Sequence, residues 1–461
     1  MRLRELHCPV ALLPDGWAED VAVKFDEHGW IRSVRTGVEA WRTAQARGPV
    51  LPGMPNVHSH AFQRAIAGRT QRVGPGDDDF WTWRQAMYAF ARRMTPEAVA
   101  ATAAQLYVDM LKSGYTAVGE FHYLHHQPDG TPYEDPAELS RRIVAAARET
   151  GIGLTHLPVL YAHGGFGGAP PAEGQRRFLN DVEGIGRILD AMMKLAEGDP
   201  QLRVGLAPHS LRAVTPEMLR EALAVLDALD PAAPVHIHVA EQTKEVADCV
   251  AWSGKRPVAW LLGAMPVSER WCLIHATHMT PEETAALAAS GATAGLCPTT
   301  EADLGDGLFP TPAFLRHGGR FGIGSDSHTR VSPSDELRML EYGQRLMRRR
   351  RNVLRREGFA SVGLGLYAAA LEGGAQALGR PVGRIAPGCR ADLVVLDAEH
   401  PLLYGKTGDD VVDTFVFSGG PELVRDVIVG GRHVVRDGRH EREDAVAARY
   451  RHAVEATMRE A

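Results

Sequence analysis

The chain has 461 residues, 44% of them apolar and 23% charged, with a formal net charge of -6 at pH 7. That balance describes a globular protein with a large core and excludes bulk attraction to nucleic acid or to an anionic membrane. No apolar run is long enough to span a bilayer, and the segment 1–8 is interrupted by Arg2, Arg4 and Glu5 where a signal peptide would be continuous, so a cytoplasmic protein is expected.

Residues 1–49 alternate short apolar and polar pieces with turn signals at Pro14-Asp15-Gly16 and Glu27-His28-Gly29, which predicts a few antiparallel strands, too few for a core of their own. Similar material recurs at 388–397 and 424–431. The expectation is one small β-sandwich built from both termini, 1–49 and 381–461, flanking a central domain at 50–380. In that central region apolar runs at 50–57, 116–123, 153–161, 202–208, 235–240, 271–276, 293–297 and 320–324 alternate with helical stretches. Eight parallel βα units imply an α/β protein with a closed (β/α)8 barrel, and in such barrels the chemistry sits at the C-terminal strand ends.

The residues at those ends are the informative ones. His58 and His60 are two apart, so on a strand they share a face and emerge roughly 6.6 Å apart along it, within reach of a common ion. His238 and Glu241 follow the fifth run, His275 the sixth and Asp326 the eighth. Neutral imidazole and carboxylate are the donors shared by zinc, iron and manganese sites, and core histidines have no reason to fall at four strand ends.

Three other features carry less. The five cysteines, Cys8, Cys249, Cys272, Cys297 and Cys389, are odd in number and in no Cys-x-x-Cys pair, the pattern of reduced core thiols. The arginine-rich run 345–356 has no interleaved aromatics and reads as a solvated or interfacial helix. The glycine-rich loop 163–171 is too irregular to cradle a phosphate and reads as a mobile loop over the barrel mouth.

With Pro-Gly-Met-Pro-Asn-Val-His58-Ser59-His60 after the first strand, His238 after the fifth, His275 after the sixth and Asp326 after the eighth, the chain resembles the amidohydrolase superfamily. The resemblance implies one divalent metal ion per chain, expected to be Zn²⁺, held by His58, His60, His238 and Asp326. Two-metal members carry a bridging lysine after strand four, where this chain has Leu206-Ala207-Pro208-His209-Ser210-Leu211-Arg212 and no lysine. The His238-Val239-Ala240-Glu241 arrangement is similar to the deaminase branch, in which that glutamate handles protons. Zinc lowers the pKa of its water to about 7, so hydroxide is available at neutral pH to add to an amidine-like carbon. Glu241 is then the candidate general acid for the departing ammonia, with His275 and Asp326 taking the water proton or orienting the nucleophile.

The strings around Gln63, Arg84, Tyr123, His209 and Arg212 resemble members of that branch that deiminate a linear formimino compound carrying two carboxylates, in a histidine-degradation route. The resemblance implies these five as substrate-binding residues. Arginine presents a planar fork of donors that matches a carboxylate, so two arginines suit a dianion. A small acidic amidine is therefore the expected partner and a homodimer the expected assembly, with no nucleic acid or membrane. A purine, pterin or triazine deaminase would share the metal set but want apolar and aromatic walls. A metal-free scaffold is disfavoured by the intact set of histidines and carboxylates.

Overall fold

The computed structural model describes residues 3–40, 44–71 and 79–459. Met1 and Arg2, at the start of the N-terminal segment considered above, lie outside them.

The barrel has eight parallel strand positions: β1 (Met54–Ser59), β2 (Tyr115–His122), β3 (Gly153–Leu160), β4 (split into Leu202–Val204 and Ala207–Pro208), β5 (Val235–Val239), β6 (Trp271–His275), β7 (Thr293–Leu296) and β8 (Arg320–Ile323). They pair in the order β4-β3-β2-β1-β8-β7-β6-β5. The ring closes where Leu206 bridges Val235 and Ser210 bridges His238. Every residue of β2, β3, β5, β6 and β7 is buried, as required when helices cover the outer face of a parallel sheet. The helices carry clear start and stop signals. In α1 (Phe80–Ala91) the Asp79 carboxylate caps the N–H groups of Trp81 and Thr82 at 2.8 and 3.0 Å. In α2 (Pro96–Ser113) the Thr95 hydroxyl caps Ala98, Pro96 occupies the first turn, and Gly114 ends the helix at φ 101°.

The two ends of the chain supply one further nine-stranded sheet. Glu5–Leu13, Gly16–Phe25, Ile31–Arg35, Ala44–Gln45 and Val50–Pro52 come from the N-terminal side, and Leu393–Leu396, Val424–Val429, Arg432–Arg436 and Arg439–His440 from the C-terminal side. The sheet curls back on itself, with Ile31 N–H donating to the Cys389 carbonyl at 2.9 Å. Leu6, Cys8, Val21, Val23, Ile31, Leu393 and Val395 form a core there, separate from that of the barrel.

Three expectations need correction. The run 50–57 is two strands, not one: Val50–Pro52 pairs with Leu393–Leu396 in the terminal sheet, and the chain enters the barrel only at Met54. Gly53 is the joint, because a Cβ there would lie 2.2 Å from Thr116 Cγ2. The arginine run is helical only in part, since the helix Pro333–Arg348 stops where Arg349 turns left-handed at φ 51°. The loop 163–171 is docked, with Gly165 pairing with Ala169 and the Phe166 ring stacked on Trp252 at 5.5 Å. Its apolar side chain gains burial against the helix Thr243–Ser253, and other residues line the cavity described next. All five cysteines are free thiols, and no helix among the described residues is long and apolar enough to cross a membrane.

Candidate active site

At the C-terminal ends of the strands, one cavity is lined by His60, Gln63, Arg84, Tyr123, His209, Arg212, His238, Glu241, His275 and Asp326, with His58 buried directly behind them. These are all the site residues expected from the sequence, and the fold brings them together without exception.

Backbone pairing sets the metal-type end. Beyond the last ladder position of β1 and β8, Asp326 N–H donates to the His58 carbonyl at 3.0 Å and His60 N–H to the Asp326 carbonyl at 3.3 Å. His58 Nε2 and His60 Nε2 each lie 3.4 Å from Asp326 Oδ1, and His58 Nε2 is 3.1 Å from His238 Nε2. The tautomers are fixed from behind, because His60 Nδ1–H donates to the Phe121 carbonyl at 2.8 Å and His238 Nδ1–H to the His209 carbonyl at 3.0 Å. Their Nε2 lone pairs therefore point into the cluster. Phe121 underlies them, with ring centroids 4.4 Å from His238 and 5.1 Å from His58. Burial lowers all three imidazoles, His58 to about 3, so they are neutral. Burial alone would raise Asp326, but its hydrogen bond to His58 and the surrounding imidazoles hold it well below the usual carboxylate range. Two inward Nε2 lone pairs, from His60 and His238, the adjoining His58 imidazole and one carboxylate form a donor set that fits a divalent cation. His275 also comes within ligand spacing of His58 and His238, so geometry alone does not separate it from the ligands.

The proton-handling end adjoins this cluster. His275 Nε2 faces Glu241 Oε1 at 3.6 Å and Asp326 Oδ2 at 3.7 Å, while its Nδ1–H donates to Glu301 at 3.2 Å. Burial raises Glu241 to about 7, against the opposing pull of His275 and Arg212. For His275 the cost of burial is outweighed by Glu241, Glu301 and Asp326, which raise it. The backbone here is unusual: Ala240, His275, Ala276, Asp326 and His328 all have φ between 44° and 66°. Such conformations are costly for residues with a Cβ and concentrate at functional sites.

At the far end, Arg84 on α1 donates to the Tyr161 hydroxyl at 2.7 Å, and Arg212 lies 3.9 Å from Glu241 Oε2 with its Nε unpartnered. Gln63 donates to the Tyr123 hydroxyl at 2.6 Å, and the His209 ring lies 4.5 Å from that of Tyr161. Phe80, Trp83, Met87 and Leu304 add an apolar wall.

Several supporting residues went unnoticed in the sequence. Glu120 accepts from the Ser59 hydroxyl (2.6 Å), the Ala61 N–H (2.7 Å) and the Tyr107 hydroxyl of α2 (3.2 Å), fixing the turn that carries His58 and His60. Glu245 accepts from the N–H groups of Ala240 and Glu241, both at 3.1 Å. Glu301 orients His275, and Gln175 donates to the Tyr161 hydroxyl at 2.5 Å.

A closed parallel barrel with imidazoles and a carboxylate gathered at its C-terminal strand ends is the arrangement of a metal-dependent hydrolase class. The sequence pattern of the amidohydrolase family matches residues 50–434, and the chain belongs to that family. Formimidoylglutamate deiminase of Pseudomonas aeruginosa is 54% identical over 437 residues, covering 95% of this chain and 96% of that protein. An amidohydrolase from Brucella melitensis superposes with a TM-score of 0.94 at 51% identity, covering 99% of this chain and all of that one (100%). 8-Oxoguanine deaminase of Pseudomonas aeruginosa is 27% identical over 425 residues, covering 90% of this chain and 88% of that protein.

Proposed function

We propose that the protein hydrolyses N-formimidoyl-L-glutamate to N-formyl-L-glutamate and ammonia. The observation that carries this reading is a single cavity that joins the His/Asp cluster to two arginines, neither of which has a carboxylate closer than 3.9 Å among the described residues. The 54% identity to a formimidoylglutamate deiminase supports it.

His58, His60, His238 and Asp326 would hold one divalent ion, for which we propose zinc. When bound, it supplies a Lewis acid and an acidified water. Arg84 and Arg212 take the two carboxylates of the substrate, with Gln63, Tyr123 and His209 completing the binding wall. This places the formimino carbon beside the His/Asp cluster. Water adds to that carbon, and the bond to the departing nitrogen breaks once that nitrogen is protonated. Glu241, with Oε1 turned to His275 and Oε2 to Arg212, is the proton carrier to that nitrogen. His275, held by Glu301, orients the attacking water together with Asp326. Cytoplasmic action in histidine degradation and a homodimeric assembly belong to the same proposal and rest on the resemblance.

The wall of Phe80, Trp83 and Met87 is what a purine or pterin deaminase would use, so that second reading has one feature in its favour. An ammonia-release assay with N-formimidoyl-L-glutamate, formamidine, guanine and adenosine, run alongside elemental analysis, separates them. We expect the fastest release from the dianion, slower release from formamidine, none from guanine or adenosine, and about one divalent ion per chain. Turnover of a purine in preference to the dianion, or two ions surviving dialysis, would sink the respective half of the reading.

A further inference from the structure

Trp81 lies at the start of α1, its backbone N–H fixed by the Asp79 cap at 2.8 Å. Three cations surround its indole: the Arg84 guanidinium carbon is 5.5 Å from the ring centroid, that of Arg212 5.7 Å, and the Lys244 ammonium 5.8 Å. Lys244 has its own counter-ion, Asp248, at 2.6 Å. The two arginines come from separate elements, α1 and the stretch that follows β4, yet both approach the same ring. Two guanidinium groups on one cavity wall repel each other. A carboxylate between them would relieve the repulsion but would occupy the N–H forks that a substrate carboxylate needs. An aromatic face attracts both cations through its quadrupole and leaves those forks available.

We infer that Trp81 is a positioning residue for substrate recognition: it sets the spacing of Arg84 and Arg212 so that together they accept a dicarboxylate. The inference rests on the proposed function above, in which these arginines take the two carboxylates. Trp81 is not among the residues lining the cavity, so it acts through the arginines and not on the reacting carbon. The Phe80 ring braces it edge-on at 5.1 Å, and Arg84 is held from its other side by the Tyr161 hydroxyl at 2.7 Å and the Tyr88 ring at 5.2 Å. Removing the indole leaves Arg84 partly restrained and Arg212 free to swing toward Glu241, the carboxyl group within 4 Å of it among the described residues.

The test compares wild type, Trp81→Phe and Trp81→Leu in the metal-loaded enzyme, with metal content and melting temperature checked first. kcat and KM are measured for N-formimidoyl-L-glutamate and for uncharged formamidine. Loss of two cation–π contacts is expected to raise KM for the dianion about tenfold in Trp81→Leu with kcat nearly unchanged. Trp81→Phe, which keeps a smaller π face, should recover most of that loss, and formamidine kinetics should not move. An unchanged KM for the dianion, an equal loss on formamidine, or a Phe variant no better than Leu overturns the inference. If Trp81→Leu fails to fold, Trp81→Phe against Trp81→Met gives the same comparison. Wild type that fails to release ammonia from N-formimidoyl-L-glutamate overturns the proposed function and this inference together. Active wild type with an insensitive Trp81 overturns only the latter.

Discussion

The two ends of the cavity are built by different means. At the His/Asp end, His58, His60, His238 and Asp326 sit on strand ends, and main-chain hydrogen bonds between neighbouring strands set their spacing. At the arginine end, Arg84 rides on α1 and is placed by side chains, the Tyr161 hydroxyl, the Tyr88 ring and the Trp81 indole. The first end is set by the strand register of the barrel. The second can be retuned by exchanging one aromatic or one tyrosine, so the same chemistry can be offered to different substrates without disturbing the strands.

The contrast is broken most severely at the chemical end. Glu241→Gln keeps the shape of the side chain but cannot deliver a proton, so kcat should fall by about 10² to 10⁴ while metal content and KM stay close to wild type. Stopped-time ammonia release with parallel elemental analysis measures this. Near-normal turnover would move the proton carrier to another residue, with His275 the next to examine.

At the recognition end the expected effect is smaller and selective. Arg212→Met removes a buried partner for a charged substrate group, a loss of about 2 to 5 kcal/mol in kcat/KM for the dianion. Formamidine, which never made the contact, should keep its kcat/KM, so the preference for the charged substrate narrows. An equal loss on both compounds would make Arg212 a structural ion-pair partner of Glu241 and erase the distinction between the two ends.

How much of this was legible in the sequence follows the same division. His58, His60, His238, His275 and Asp326 could be found because each follows an apolar run, and a parallel barrel sends such residues to one mouth. Glu120, Glu245 and Glu301 could not. A carboxylate within a strand or a short helix has no periodic signature, and its role is apparent only once Ser59, the Ala240 N–H or His275 lies against it. Arg84 and Arg212 came from resemblance, but Trp81 between them and Tyr161 behind Arg84 are ordinary aromatics until the chain folds. The split of the run 50–57 was hidden for a related reason. Both halves are apolar and buried, and only strand pairing and the fit of Gly53 against Thr116 show where one sheet ends and the other begins.

The smallest expected effect concerns three imidazoles outside the His/Asp cluster. His122, His125 and His156 cluster in the core, with ring centroids 5.7 Å apart for His122 and His125 and 5.6 Å for His122 and His156, and neither nitrogen of His156 has a partner among the described residues. Burial and mutual repulsion depress all three, His156 to about 3. Depressed folded-state values favour the neutral form, so this contribution is complete above the unfolded value of about 6.5 and is lost as pH falls toward 3. Each such group removes about 1.4 kcal/mol of stability per pH unit in that window. Urea midpoints at pH 7.5 and 5.5 should therefore drop on acidification, and His156→Leu should flatten the decline. An identical pH slope in His156→Leu would show that this cluster is not responsible.

The strand Val50–Pro52 lies between Leu393–Leu396 and Glu5–Leu13, one residue ahead of the strand that carries His58. During synthesis it emerges well before its neighbour at Leu393. Until then it presents an open edge, the kind of template on which strands of other chains add. A chain truncated before Leu393 would therefore keep every site residue of the barrel but leave this edge open to association.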